Sequence, residues 1–286
     1  MANYKAEKER AELRSKVLYA AAKLFLEKGY SQASVREIAR TAAVNVSTMT
    51  REFGSKENIL RELVTYVLEG QFETTAKLLS GVTEDKILFY AAETTLQLYM
   101  AESSEYIRAL YSAAYSLPHT SDVIQHTITA KLETIFKEHL PQLETKDFYE
   151  LEIASGGIMR SFMARPCDMY FTMDRKVARF LETTFLLYRV PDEKIREAVE
   201  FVGQFDYPAI AQSCNTAKAH ERNFPGWNFH KKERVAYRTD SALSLPQAQD
   251  LPQGTKRPQG LFMALGLFLS MDGALTLEPA PLGSLI

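Results

Sequence analysis

The chain has 286 residues, 46% of them hydrophobic and 24% charged, with a formal net charge of −2. That length and apolar content suit a soluble globular protein of one large domain or two ordinary ones. Cys167 and Cys214 have no partners at metal-ligand spacing, which excludes a zinc site and a disulfide framework, and no cofactor is expected. The opening MANYKAEKERAELRSK is charged throughout and does not read as a secretory signal, so a cytoplasmic location is expected. The apolar run LFMALGLFLSM at 261–271 is roughly half of the ~20 residues needed to cross a bilayer, and no membrane is expected as a partner.

In chain order, Leu13, Val17, Ala20 and Leu24 recur at helical spacing, Phe25 widens the stripe, and Lys28 followed by Gly29 closes the helix. Ser34 with Glu37 three residues on spells a capping box for a second helix, whose inward face is Val35, Ile38, Ala39 and Ala42. After a break at Ala43 and Val44, Asn45 is placed to cap a third helix. Val46, Met49 and Phe53 cluster on one side of it, and Arg51 lies opposite, flanked by Ser47 and Thr48. Gly54 ends that helix. Ser55 caps a long one over 55–79, with Leu60, Leu63, Val64, Val67 and Leu68 on its apolar side and a length of about 36 Å.

The helical pattern continues for some 130 residues, divided at Ser103-Ser104, Pro118, Pro141, Pro166 and Pro191. A helix near 84–101 carries Ile87, Ala91, Thr94 and Leu98 on one face and Phe89, Leu96 and Met100 on the other, so it is expected to be buried on two sides. A helix near 146–165 has Phe148, Leu151, Ser155, Ile158 and Phe162 to dock on its own core. Its opposite face is Tyr149, Ile153, Gly156, Gly157, Arg160 and Ala164. Each interior glycine costs a helix about 1 kcal/mol relative to alanine, so this face is expected to meet another helix closely, within the subunit or in a second copy. After about 213, six of the eleven prolines fall between 225 and 281 without hydrophobic periodicity. The expected organisation is all-α: a helix-turn-helix unit at 1–54, a helical body at 55–212, and a disordered or non-native tail at 213–286.

Two helices joined by a tight turn, the second presenting hydroxyls and an arginine, make a helix-turn-helix that can lay its second helix in the major groove. The candidate contacts to a double-stranded DNA operator are Ser34, Arg36, Asn45, Val46, Ser47, Thr48, Thr50 and Arg51, with Lys56 at the start of the next helix. Residues 1–60 hold 11 Lys and Arg against 7 Asp and Glu, a net of +4 that leaves −6 for the rest. A basic head on an acidic body suits a polyanion-facing N-terminus.

The stretch from about 12 to 60 resembles the DNA-binding domain of the TetR family of bacterial transcriptional regulators. The likeness rests on the alanine-rich first helix, LFLEKGY, the turn in IARTAAV, and FGSKE. It implies a homodimer, with the helices near 146–165 and 174–189 forming a four-helix interface. It also implies a small, largely apolar ligand in the body, with Phe89, Leu96, Met100, Tyr111 and Phe162 as lining candidates, and a repressor that binds a palindromic operator. The chain departs from the family pattern at Ala43 for the turn glycine, Asn45 for serine, Thr50 for tyrosine, and Glu52 for an aromatic or histidine. The loss of the tyrosine removes a phosphate contact, and Glu52 adds an anion on the flank of the helix. Those two departures favour an alternative reading, a helical binding module with weakened DNA contact that acts through protein partners. No nucleophile elbow, phosphate loop or zinc-protease motif occurs, Cys167-Asp168 sits at a proline-marked helix end, and no enzymatic activity is expected.

Overall fold

The computed structural model describes residues 2–216, and among these residues it contains eleven helices and no strand. The tail expected over 213–286 lies outside the described residues from 217 onward. Its first four residues finish the last helix, which runs Tyr207–Thr216.

The N-terminal unit is α1 (Ala2–Lys28), α2 (Val35–Thr41) and α3 (Val46–Phe53), and α4 (Lys56–Leu78) leads into the body. Val17, Leu18, Ala21, Ala22 and Phe25 of α1 pack with Ile38 and Ala39 of α2, and with Met49 and Phe53 of α3, in one apolar core. Small alanines on α1 let the short helices approach closely, which is what an alanine-rich stripe is suited to. Gly29 ends α1 at φ +85, and a Cβ there would come within 3.3 Å of the Tyr106 ring, so the stop glycine also admits a body residue against the N-terminal unit. Helix α1 begins some ten residues earlier than its apolar stripe, because its first three turns are almost wholly exposed and carry no hydrophobic period.

The body is built around α5 (Lys86–Glu102), which touches α4, α6 (Glu105–Ala114), α7 (Pro118–Phe136), α8 (Thr145–Ala164), α9 (Met173–Leu187), α10 (Asp192–Val202) and α11 (Tyr207–Thr216). Its two-sided apolar pattern is answered by burial of Leu88, Ala91, Ala92, Leu96, Leu98 and Met100. Three of the punctuation sites mark helix starts: Ser104 caps α6, Pro118 is the first residue of α7, and Pro191 precedes α10; Asp85 caps α5. Tyr90, Phe136, Phe185 and Tyr188 form an aromatic knot at one end of α5, with Phe136 stacked on Tyr188 at 4.2 Å between ring centroids.

Helix α8 sits a step round from the expected orientation. Its buried line is Phe148, Glu152, Ser155, Met159 and Met163, while Leu151, Ile158 and Phe162 are only half-buried. A wheel that ranks residues by apolarity cannot place a carboxylate at the centre of the inner face, and Glu152 stands there.

Candidate nucleic-acid interface and interior pocket

The turn between α2 and α3 is fixed by its backbone. Ala43 takes φ +54, its N–H donates to the Arg40 carbonyl at 3.1 Å, and the Val44 N–H reaches the Ala39 carbonyl at 3.0 Å. These are the two bonds of a Schellman stop, for which glycine is the unstrained choice, and an alanine in the left-handed region costs about 1–2 kcal/mol. Upstream, the capping box expected from Ser34 and Glu37 is complete: Ser34 N–H donates to Glu37 Oε2 at 3.0 Å, and Glu37 N–H to Ser34 Oγ at 3.2 Å. A hydrogen bond from Lys28, together with those from Ser34, holds the Glu37 carboxyl down at about 2.

Asn45 occupies the capping position of α3 with an extended backbone, but its side chain makes no capping bond. It is exposed, with its amide left for another partner. Met49 and Phe53 are buried, whereas Val46 is 40% exposed and belongs to the outer surface rather than the core side where the wheel grouped it. Ser47, Thr50 and Arg51 of α3 are exposed beside it, as are Arg36 and Arg40 of α2; Thr48 is half-buried.

Two charged residues have roles that the sequence did not show. Glu52 accepts from Arg10 Nε at 2.8 and 3.0 Å and from Arg14 at 2.5 Å, and its side chain is only 14% exposed. Burial opposes its charge, but the hydrogen bonds from Arg10 and Arg14 outweigh that and lower its pKa. Glu52 is therefore a neutralised clamp between α1 and α3, not a loose anion on the flank of α3. Arg14 also packs over the Phe53 ring at 4.7 Å and pairs with Glu62 of α4. Arg10 and Arg14 lie one turn apart on α1, the only signal the sequence offered for this clamp.

Lys56 is the second case. Its ammonium donates to the Tyr30 carbonyl at 2.8 Å and the Ala33 carbonyl at 3.1 Å, and it lies over the Tyr30 ring at 4.2 Å. Burial lowers its pKa. Most of its donor capacity ties α4 to the loop before α2, so its first role is to position the motif rather than to present a free charge.

The family model of bacterial regulatory proteins, tetR family, matches residues 17–63, from the buried stripe of α1 through the first two turns of α4. The N-terminal unit is similar to the DNA-binding domain of the TetR family. Over 70 residues the chain is 36% identical to the probable HTH-type transcriptional regulator YttP of Bacillus subtilis (strain 168), a match covering 24% of this chain and about a third, 34%, of that protein. The crystal structure of RolR in complex with resorcinol superposes at a TM-score of 0.54 with 15% identity, over 70% of this chain and 97% of that one. CprB from S. coelicolor A3(2), a TetR-family protein, gives 0.40 at 18% identity, over 68% and 96%. The likeness to RolR extends the shared fold beyond the N-terminal unit into the helical body.

A cavity of about 40 Å³ lies where that unit meets the body. It is lined by Leu26 of α1, by Leu60, Leu63, Val64, Val67 and Leu68 of α4, by residues of α6 including Tyr111, and by Tyr115 and Ile124. Of the five lining candidates, only Tyr111 is there. Leu96 and Met100 are each 1% exposed within the core around α5, Phe89 stacks on Phe72, and Phe162 packs against Phe171 and Phe180. Aromatics and long apolar residues at helical spacing look alike whether they fill a core or line a hole; here Leu96 and Met100 fill the core, and the half-buried Phe89 and Phe162 pack against it.

On α8, Ile153 (49% exposed), Gly157, Arg160 and Ala164 form one outward strip, and a Cβ at Gly157 would meet nothing within 4 Å. Gly156 departs from the expected face: its Cβ position is 3.1 Å from Glu152 Oε1 and 3.8 Å from the Tyr115 ring, so it points into the subunit. Tyr149 is half-buried, its ring stacked on His126 at 5.3 Å. Leu186 of α9, 62% exposed, is a further apolar residue on the outside.

Proposed function

We propose that this chain is a ligand-responsive transcriptional regulator that binds a palindromic operator as a homodimer and acts as a repressor. The observation that carries this reading is the outer face of α3. Met49 and Phe53 anchor the helix, while Asn45, Val46, Ser47, Thr50 and Arg51 stand exposed, with Arg36 and Arg40 of α2 also exposed. Guanidinium groups suit phosphates and guanine, and small polar side chains suit either phosphate or base edges. Lys56 supports this surface from behind and has at most one donor left for a phosphate.

The pocket suggests how a ligand acts. A drug-sized molecule needs a space of about 300 Å³ or more, so the 40 Å³ cavity must open to admit one, and α4 and α1 form much of its wall. The ligand would bind the opened arrangement better and shift the population away from the one that fits DNA. Glu57 Oε1, in the first turn of α4, also accepts the His119 N–H at 3.1 Å, so α4 and the start of α7 are held together at the DNA end of the body. Two recognition helices must sit about 34 Å apart to enter successive major grooves, and small displacements of α4 at each subunit change that spacing.

For the dimer, the strip Ile153, Gly157, Arg160 and Ala164 supports close helix packing across a two-fold axis. The reading as a module that avoids DNA loses one of its two supports, because the Glu52 charge is already answered by Arg10 and Arg14. Gel-shift titration with DNA from upstream of its own gene, with light scattering on the free protein, tests the proposal. A discrete dimer–DNA complex supports it; a monomer that binds no such DNA refutes it.

A further inference from the structure

Behind the cavity the body contains polar chemistry that an apolar core does not need. Tyr115, part of the cavity wall, donates to Gln97 Oε1 at 3.2 Å, and Gln97 Nε2 donates to Glu93 Oε1 at 2.6 Å. Glu152 and the Tyr115 ring both lie within 4 Å of the Gly156 Cβ position; Glu152 Oε2 accepts from Ser155 Oγ at 2.9 Å, and Ser155 Oγ accepts from Tyr188 OH at 2.9 Å. Glu93 is 2% exposed and Glu152 3% exposed. Neither has a basic residue within ion-pair distance among the described residues. The cation whose charge reaches Glu93 is Lys131 of α7, and its ammonium sits over the Phe72 ring at 5.1 Å instead.

A second observation points to a missing partner. Gln71 of α4, fully buried, is hydrogen-bonded at one end of its amide to Tyr111 of the cavity wall, while Oε1 at the other end has no partner. Whichever way the amide is turned, one end stays unanswered. One turn along the same face, the buried Thr75 hydroxyl is also without a partner. Buried polar groups are nearly always paired, and these groups stand behind the cavity wall rather than in it: Gln71 is bonded to Tyr111 of the wall, and Glu93 reaches Tyr115 through Gln97, so a ligand that opens the wall at these two rings meets an unanswered amide and two carboxyls that lack a cation.

We propose, resting on the reading of the body as a ligand sensor, that this site takes an apolar amine. The hydrocarbon part enters the cavity between α4, α6 and Ile124 of α7, and the protonated nitrogen is held by Glu93 and Glu152, with Gln71 as a further acceptor. A neutral hydroxyl ligand would need only amides or hydroxyls, and an anion is repelled wherever either carboxyl is ionised. Burial raises Glu93 to about 7 and Glu152 to about 8, and the two oppose each other's ionisation. The groups facing them are Lys131 and the phenols of Tyr90, Tyr115 and Tyr188, so Lys131 supplies the one positive charge. An ammonium arriving between them favours ionisation, so amine binding releases protons and tightens as pH rises from about 6 to about 8.

The test uses the full chain and three matched probes: phenylbutylamine, phenylbutanol and phenylbutyrate, titrated calorimetrically at about pH 8. The amine is expected to bind at least about ten-fold tighter than the alcohol, with proton release seen as a dependence of the heat on buffer ionisation. In the Glu93→Gln/Glu152→Gln double variant, its fold checked by circular dichroism, the amine-to-alcohol ratio should fall below about two. Equal affinity for amine and alcohol, or a preference that survives the double variant, overturns the amine assignment and leaves a ligand-binding body. Failure of all three probes at millimolar concentration overturns the assignment and the ligand-responsive reading together.

Discussion

Glu93 offers a quantitative check on the interior of the body before any ligand is known. Its carboxyl is 2% exposed and accepts a hydrogen bond from Gln97, and burial raises it from 4.5 to about 7. The folded-state pKa exceeds the unfolded one, so the stability contributed by this group is fully present below about pH 4.5 and is lost as pH rises through about 7. A shift of that size corresponds to a loss on the order of 3 kcal/mol, most of it between about pH 5 and pH 8. Glu93→Gln keeps the shape and an acceptor for Gln97 but cannot ionise. In thermal unfolding, the variant should therefore melt about 5–10 °C above wild type at about pH 8, and within a few degrees of it at about pH 5. Glu152→Gln should behave alike, with its transition nearer 8. A gain of the same size at both pH values would show that volume or hydrogen bonding, not ionisation, sets the difference. No gain at either would mean that the carboxyl finds a cation or water, and the reasoning about the buried pair would fail.

Ala43→Gly should relieve the left-handed strain at φ +54 but adds freedom to the unfolded chain, for a net gain of roughly 0.5–1 kcal/mol in chemical denaturation, with DNA affinity little changed. Glu52→Ala leaves Arg10 without its acceptor and Arg14 with Glu62 alone, and should lower stability by about 1 kcal/mol and weaken DNA binding; stronger binding would show that Glu52 acts as a repelling anion after all. Gly157→Leu fills a position with nothing within 4 Å, so it should fold normally yet give monomers in light scattering; an unaltered dimer would place the interface elsewhere.

Much of the architecture could be read because helix ends and faces are local. Ser34 with Glu37, Gly29, Ser55 and Pro118 each mark a boundary through their own backbone chemistry, and the structure uses all four. The buried faces of α3 and α5 followed from spacing alone, apart from Val46 at the edge of α3. What sequence could not show depended on distant partners. Glu52 reads as a surface anion until Arg10 and Arg14 are brought to it across 42 and 38 residues. Lys56 reads as a phosphate ligand until the Tyr30 and Ala33 carbonyls appear beneath it. The pocket was sought among aromatics of α5 and α8, but an opening is set by where helices fail to meet, and one such place is beside α4 and α6. Glu152 carried the opposite error: a carboxylate is ordinarily assigned to solvent, and placing it inside turns α8 far enough to bring Gly156 with it.

The central claim is that the exposed face of α3 reads DNA, and fluorescence anisotropy on a labelled duplex from upstream of the protein's own gene tests it most directly. Comparing wild type with Arg51→Ala over a salt series, the account predicts a saturable complex whose affinity falls about ten-fold or more in the variant, a loss of about 1–3 kcal/mol. The salt slope should fall by about one unit if Arg51 meets a phosphate. Equal affinity and salt dependence for the two proteins, with circular dichroism showing both folded, would contradict it.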